Sequence, residues 1–238
     1  EAIGRDYNLN RLERYLVLAN ESGIKSVIIL NKIDLISDED LALQIEQIKK
    51  RVHNIEVIPT SAVTEQGLDK LIGNITKRET HCFLGSSGVG KSTLINILLK
   101  KKSIKTKEIS SITGRGKHTT TVRDMYFLKN GGIVIDNPGM REVGIADLSV
   151  GLAYTFDEIS ELSKNCKYTN CTHIQEKDCA VLDAVKSNEL DEAKYSNYIK
   201  LKKETDYYSM TDLKKRQKNR KFGKFVKKAL EQLEKYER

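Results

Sequence analysis

Apolar residues recur at helical spacing over residues 9–22 (LNRLERYLVLANES), and Gly23 closes the pattern, so a helix is predicted there. The run Val27–Leu30 follows without a polar break, as in a parallel strand buried on both faces. The alternation continues with a helix over Asp38–Arg51, a strand within 55–62, a helix over Gly67–Ile75, a strand at 81–85 and a helix over Lys91–Lys100. Strand and helix in turn predict an α/β fold, a parallel sheet with helices on both faces. Thr121–Leu128 and Gly132–Asp136 then read as strands joined at Lys129-Asn130-Gly131, a hairpin turn. Beyond Gly144 no strand is predicted. Residues 147–163, 188–208 and 213–236 carry helical patterns, and 164–180 hold a cluster of cysteines and a histidine. The boundary is placed near residue 150, giving an α/β domain over 1–150 and a small α-helical domain over 151–238.

Composition narrows the class. Of the 238 residues, 39% are apolar and 31% charged, enough for a core and far from the disordered regime. No apolar run approaches the length of a membrane span, and EAIGRDYNLN has no secretory pattern. Three of the four cysteines fall within residues 166–179, which reads as a metal site in a cytosolic chain rather than a disulfide framework. The net charge of +8 is not spread evenly: residues 214–238 hold eleven Lys/Arg and three Glu, so 11 − 3 = +8, and the rest is balanced. A basic tail on a neutral body points to a polyanion, most plausibly nucleic acid.

Candidate chemistry begins with Gly85-Ser86-Ser87-Gly88-Val89-Gly90-Lys91-Ser92, followed by Thr93, which fits the phosphate loop GxxxxGK[ST] between a predicted strand and helix. Its glycines let backbone N–H groups turn inward around phosphates, and the following helix adds its positive end. Lys91 is expected at the β- and γ-phosphates and the Ser92 hydroxyl at Mg²⁺. Asn31-Lys32-Ile33-Asp34 closes the first buried strand. A carboxylate there accepts from guanine N1–H and the N2 amine, a donor pair that adenine lacks, so Asp34 predicts guanine selectivity. Ser61-Ala62, ending the second strand, fits the loop that meets guanine O6 through a backbone N–H. Asp136-Asn137-Pro138-Gly139 closes another apolar strand. There Asp136 is expected to hold Mg²⁺ through water, and the Gly139 N–H to contact the γ-phosphate. GRGKHTTT over Gly114–Thr121 holds three hydroxyls, Thr120 among them, one of which is expected to ligate Mg²⁺. Cys166-x4-Cys171-x-His173-x5-Cys179 supplies three thiolates and an imidazole for a closed, structural Zn²⁺ tetrahedron. Cys82 is expected as a buried apolar side chain.

These elements do not follow the order of an ordinary small GTPase, which begins with its phosphate loop; here the base motif and Ser-Ala come first. In GSSGVGKST, GRGKHTTT, DNPG and the cysteine cluster, each in its place, the chain resembles the circularly permuted GTPases of the ribosome small-subunit-dependent GTPase A (RsgA) family. The resemblance implies a P-loop NTPase sheet followed by a zinc-binding helical domain. It implies hydrolysis of GTP to GDP, stimulated by the 30S subunit, late in that subunit's maturation. Mg²⁺ with GTP or GDP, one Zn²⁺, 16S rRNA as a contact, a cytoplasmic monomer and no membrane partner complete that expectation. Met140 stands where many GTPases have the glutamine that orients water, so hydrolysis is expected to need a partner. His118 is the candidate to position that water, with Lys117 as the alternative that offsets transition-state charge. Members of the family usually carry an OB-fold and a first strand ahead of the helix at 9–22, and neither is visible here. In the tail, Phe222, Phe225, Val226, Leu230 and Leu233 share one helix face with Lys224, Lys227, Lys228 and Lys235 around it; the apolar face is expected to dock on the body while the lysines meet phosphates. Two other readings stay open: a nucleotide-gated rRNA-binding factor whose turnover is incidental, and a permuted GTPase of the large subunit.

Overall fold

The computed structural model describes residues 1–4, 7–100, 124–137 and 148–236. Helix α1 (Leu9–Glu21) starts where Asn8 accepts from the Arg11 N–H, leading into β1 (Val27–Asn31). Helix α2 (Asp38–Arg51) is capped by Ser37 and carries acids in its first turn and bases in its last, each matched to the helix dipole. Strand β2 (Glu56–Thr60) pairs with β1 in parallel. After α3 (Leu68–Asn74), β3 (Thr80–Phe83) and α4 (Lys91–Leu98), the hairpin β4 (Asp124–Phe127) and β5 (Ile133–Asp136) completes this part. The strands form two hydrogen-bonded groups, β1-β2 and β3-β5-β4, with β3 parallel and β4 antiparallel to β5. Where the sequence showed no strand ahead of α1, the first residues nonetheless pair with β1: Ala2 forms an isolated parallel bridge to Asn31, and the Asn31 N–H donates to the Glu1 carbonyl at 2.9 Å.

Two apolar clusters sit on these strands. Leu12 and Leu16 of α1 and Ile48 of α2 close over Ile28 and Leu30 of β1. Leu68 and Leu71 of α3 and Leu94 and Ile95 of α4 close over Phe83 and Val134. The alternation of side chains then explains a misreading. Cys82 lies in register with Ile135 and Met125, on the sheet face opposite Phe83, and is exposed rather than buried.

The remaining helices build a third cluster. The segment expected as one helix over 147–163 is two, α5 (Ser149–Thr155) and α6 (Asp157–Ser163). They break at Phe156, whose ring is fully buried and stands edge to face on Tyr198 at 5.4 Å. Helix α7 (Ala180–Lys186) was hidden behind the cysteine spacing, and α8 (Glu192–Ser209) begins four residues later than expected, where Asp191 caps it. Val17 of α1 joins this third cluster with Leu148, Leu152, Phe156, Val181 and Leu201. A Cβ on Gly151 would lie 2.1 Å from the Val17 carbonyl oxygen, so only glycine lets α5 approach α1 this closely.

Helix α9 (Asp212–Tyr236) leaves Phe222, Val226 and Leu230 at 66%, 37% and 55% exposure, so among the described residues these three do not pack on the body as expected.

Candidate functional site

The two motifs that the sequence separates come together. The Asn31 side-chain amide donates to the Val89 carbonyl at 2.8 Å, and its own carbonyl accepts from Thr60 Oγ1 at 3.2 Å. Lys32 Nζ donates to the Gly88 carbonyl at 2.6 Å. Gly90, at φ 97°, begins α4; a Cβ there would stand 2.3 Å from the Asn31 amide nitrogen, so contact with the base motif itself demands glycine. Ile33 is buried in the α1–α2 cluster and anchors the short 3-10 turn that presents Asp34. The exposed Asp34 carboxylate accepts from Ser61 Oγ at 2.5 Å. That hydroxyl also accepts from the Val63 and Thr64 N–H groups, which tightens the turn after β2 around Ala62.

Lys91 lies at the N-terminus of α4 and donates to the Gly85 and Ser86 carbonyls at 2.9 and 2.8 Å. Burial lowers its pKa, against the pull of Asp136 and then Glu1. Asp136 ends β5, fully buried, and one oxygen accepts from Ser92 Oγ at 3.0 Å. Its other oxygen has no hydrogen-bond partner among the described residues, and burial raises its pKa despite Ser92 and Lys91. A buried carboxylate oxygen with an open lone pair beside a hydroxyl is a hard-oxygen donor set that suits Mg²⁺. Ser86 Oγ is likewise buried with no hydrogen-bond partner among the described residues. Ser87 and Thr93 flank the same turn. Gly139, Met140, Lys117, His118 and Thr120 lie outside the described residues.

Cys166, Cys171, His173 and Cys179 gather with their ligand atoms within 4.8 Å of one another. With Zn–S near ~2.3 Å and Zn–N near ~2.05 Å, a tetrahedron has edges of about 3.8 Å between sulfurs and about 3.6 Å from sulfur to nitrogen. The distances are 3.8 Å from Cys166 Sγ to Cys179 Sγ, and 3.6 and 3.5 Å from His173 Nδ1 to the two sulfurs. The cluster therefore has the chemistry and the dimensions of a structural zinc site. Cys179 also caps α7, accepting from the Leu182 N–H at 3.5 Å. Two supports escaped the sequence reading. Glu176 accepts from the Thr172 hydroxyl and from the Thr172, Ile174 and Gln175 N–H groups and holds the loop between ligands; the Thr172 hydroxyl, then the Thr172 and Ile174 N–H groups, pull its pKa far down. Tyr195 donates to the His173 carbonyl. An acid inside a cysteine–histidine cluster was the available signal for Glu176; Tyr195 lies beyond it in sequence and left none.

No helix among the described residues is long and apolar enough to cross a membrane. The family model for the RsgA GTPase matches residues 2–146. A small ribosomal subunit biogenesis GTPase RsgA of Methanosarcina acetivorans is 45% identical over 208 residues, 87% of this chain and 56% of that protein. RsgA 1 of Bacteroides thetaiotaomicron is 40% identical over 227 residues, 95% of this chain and 63% of that protein. The chain thus spans less than two thirds of the length of these curated relatives. Among solved structures, YjeQ from Thermotoga maritima superposes with a TM-score of 0.61 at 26% identity, covering 86% of this chain and 69% of that one. YloQ, a circularly permuted GTPase, gives 0.60 at 27% identity, covering 87% and 66%.

Proposed function

This chain belongs to the RsgA GTPase family, and from that premise we propose that it binds GTP and hydrolyses it to GDP and phosphate, stimulated by the 30S ribosomal subunit late in that particle's maturation. The observation that carries the reading is the pair of hydrogen bonds from Asn31 and Lys32 to the Val89 and Gly88 carbonyls. They tie a base-selecting motif to a phosphate loop that follows it in the chain. The names of the relatives supply the particle.

In this reading Asp34 accepts from the guanine N1–H and N2 amine, and the Ala62 N–H meets O6. The backbone of Gly85–Gly90 cradles the phosphates with Ser86, Ser87 and Thr93 at its rim. Lys91 leaves the Gly85 and Ser86 carbonyls for the β- and γ-phosphates, whose charge offsets the burial that depresses its pKa. Ser92 and Thr120, with Asp136 through water, would hold Mg²⁺, which when bound would neutralise charge on the phosphate oxygens. Water adds to the γ-phosphorus and the bond to the bridging oxygen breaks, releasing GDP. His118 positions that water, and the Gly139 N–H contacts the γ-phosphate. With Met140 in place of an orienting glutamine, the partner subunit completes the arrangement.

Residues 151–238 form the appended domain of this proposal, folded by one Zn²⁺ on Cys166, Cys171, His173 and Cys179 and presenting the basic tail to 16S rRNA. The chain acts as a monomer in the cytoplasm. Phosphate release with purified 30S, 50S or no subunit, using GTP and ATP, tests the reading. Strong stimulation by 30S with GTP alone is expected. Equal turnover of ATP, or stimulation by 50S only, overturns it.

A further inference from the structure

The end of α8 and the start of α9 meet in an elbow whose tyrosines none of the functions above employs. The Tyr207 and Tyr208 rings stand edge to face with centroids 5.8 Å apart. Lys215 folds back from α9, donates to the Tyr208 carbonyl at 2.8 Å and sits 6.0 Å from the centre of each ring. Lys218, nearly one turn further on, lies 5.4 Å from the Tyr207 ring. The Asn219 amide donates to the Tyr207 hydroxyl at 3.2 Å, which fixes that ring between the helices. Tyr208, by contrast, is 43% exposed.

We propose that this elbow is a stacking site for an unpaired RNA base, with Tyr208 as the platform and Lys215 and Lys218 meeting the flanking phosphates. The inference rests on the reading that the chain works on an RNA-containing particle, and it names a contact within it. An exposed aromatic face beside fixed cations matches single-stranded RNA, in which every base offers a π-face and every linkage a charge. A duplex buries those faces in its own stack and would use the lysines alone. An acidic peptide would use the lysines and leave the ring idle. The surrounding charge favours RNA as well, since the excess of +8 over residues 214–238 begins at this elbow. Tyr207, pinned by Asn219, is a positioning residue for Tyr208 and Lys218.

Fluorescence anisotropy of the 238-residue chain with a labelled oligouridylate and with an RNA duplex of equal length, across a KCl series, tests the site. Tyr208→Ala is expected to weaken single-strand binding about tenfold while leaving its salt slope unchanged, because stacking carries no charge. Tyr208→Phe should bind as the parent does. Lys218→Gln should lower the slope by about 0.7, the value for one phosphate contact on a single strand. Equal zinc content in all variants reports the fold. Single-strand binding unaffected by Tyr208→Ala, an equal loss on the duplex, or stronger Tyr208 dependence for a poly-glutamate peptide would each overturn the site. GTP hydrolysis with 30S, measured on the same proteins, separates this from the broader reading. Unstimulated parent protein with intact Tyr208 dependence sinks only that reading, and stimulated parent protein without Tyr208 dependence sinks only the elbow.

Discussion

At the scale of single residues, Asp34 and Tyr7 show opposite uses of a polar atom. Asp34 is exposed, and Ser61 Oγ holds one of its oxygens in place. In the proposed binding mode, replacing it with Asn would turn one acceptor into a donor facing the guanine N1–H and N2 amine, without changing the size of the side chain. Asp34→Asn should weaken GTP binding by at least about a hundredfold in calorimetry, because a site built to pair with donors rejects a mismatch by orders of magnitude. Xanthosine triphosphate, which presents a carbonyl at position 2, should lose much less. Tyr7 serves no such purpose. Its hydroxyl is buried with no partner among the described residues, and burial, with Glu1 adding to it, pushes its pKa up to about 12. The folded state therefore keeps this proton after the unfolded chain has lost it near pH ~10. Between about pH 10 and 12 the unfolded state binds fewer protons, so stability falls as pH rises. Tyr7→Phe should remove that part of the alkaline slope in urea titrations. It should also raise stability at neutral pH by about 1 kcal/mol, since an unsatisfied buried hydroxyl is no longer desolvated.

Between elements, the decisive contact is an ion pair that joins three helices. Arg51, ending α2, donates from Nε and Nη2 to both oxygens of Glu13 on α1, each at 2.8 Å. Asn197 of α8 donates to the same carboxylate, and Asn10 accepts from Arg51 at 2.9 Å. Glu13 is 1% exposed and Arg51 8%. Glu13→Ala leaves the buried Arg51 with only Asn10 and the exposed Asp191 carboxylate at 3.4 Å, so it should cost up to about 3–5 kcal/mol in denaturant unfolding, whereas replacing both by methionine should cost far less. This pair marks the limit of what the sequence made legible. The phosphate loop, the Asn31–Asp34 motif and the zinc ligands could be read because each carries its chemistry within a short window. Glu13 and Asn197 lie 184 positions apart, and neither carries a local signal that it will be buried. The break at Phe156 escaped for the same reason, whereas the exposure of Cys82 follows from strand alternation, which puts it on the face opposite Phe83. Helical spacing continues smoothly across Phe156, and its burial depends on Tyr198 from a distant helix. The apolar spacing of α9 correctly predicted a helix, yet spacing alone cannot say whether a partner exists to cover Phe222 and Leu230.

Across the whole molecule, α1 belongs to two cores at once. Leu12 and Leu16 face β1, whose last residue is Asn31, while Val17 faces the cluster of Leu148, Phe156, Val181 and Leu201. Further bonds fasten the second side: Arg14 pairs with Glu204 of α8, the Gly151 N–H donates to Glu21 at 2.7 Å, and the Asn20 amide donates to Thr155 at 2.9 Å. The helices on that side join an apolar cluster to Cys166, Cys171, His173 and Cys179, and in the proposed zinc-bound form metal binding there would add folding energy. Stripping the zinc, or replacing Cys171 with Ser, should therefore unfold α7 and the adjoining end of α8 first. Hydrogen exchange should then show protection falling in α1, as Val17 loses Val181 of α7 and Glu13 loses Asn197 of α8. Amides of β3, β5 and α4 rest on a separate cluster around Val134 and Ile95, so they should keep their protection at the same step. Simultaneous loss in α4 would make the molecule one cooperative unit, and full retention in α1 would show that the helix draws its order from β1 alone. The expected middle course places Asn31–Asp34, the base-selecting motif of the proposed function, one helix away from the cysteine–histidine cluster, so protein stripped of the proposed zinc should bind GDP more weakly while Lys91 and its loop keep their exchange protection.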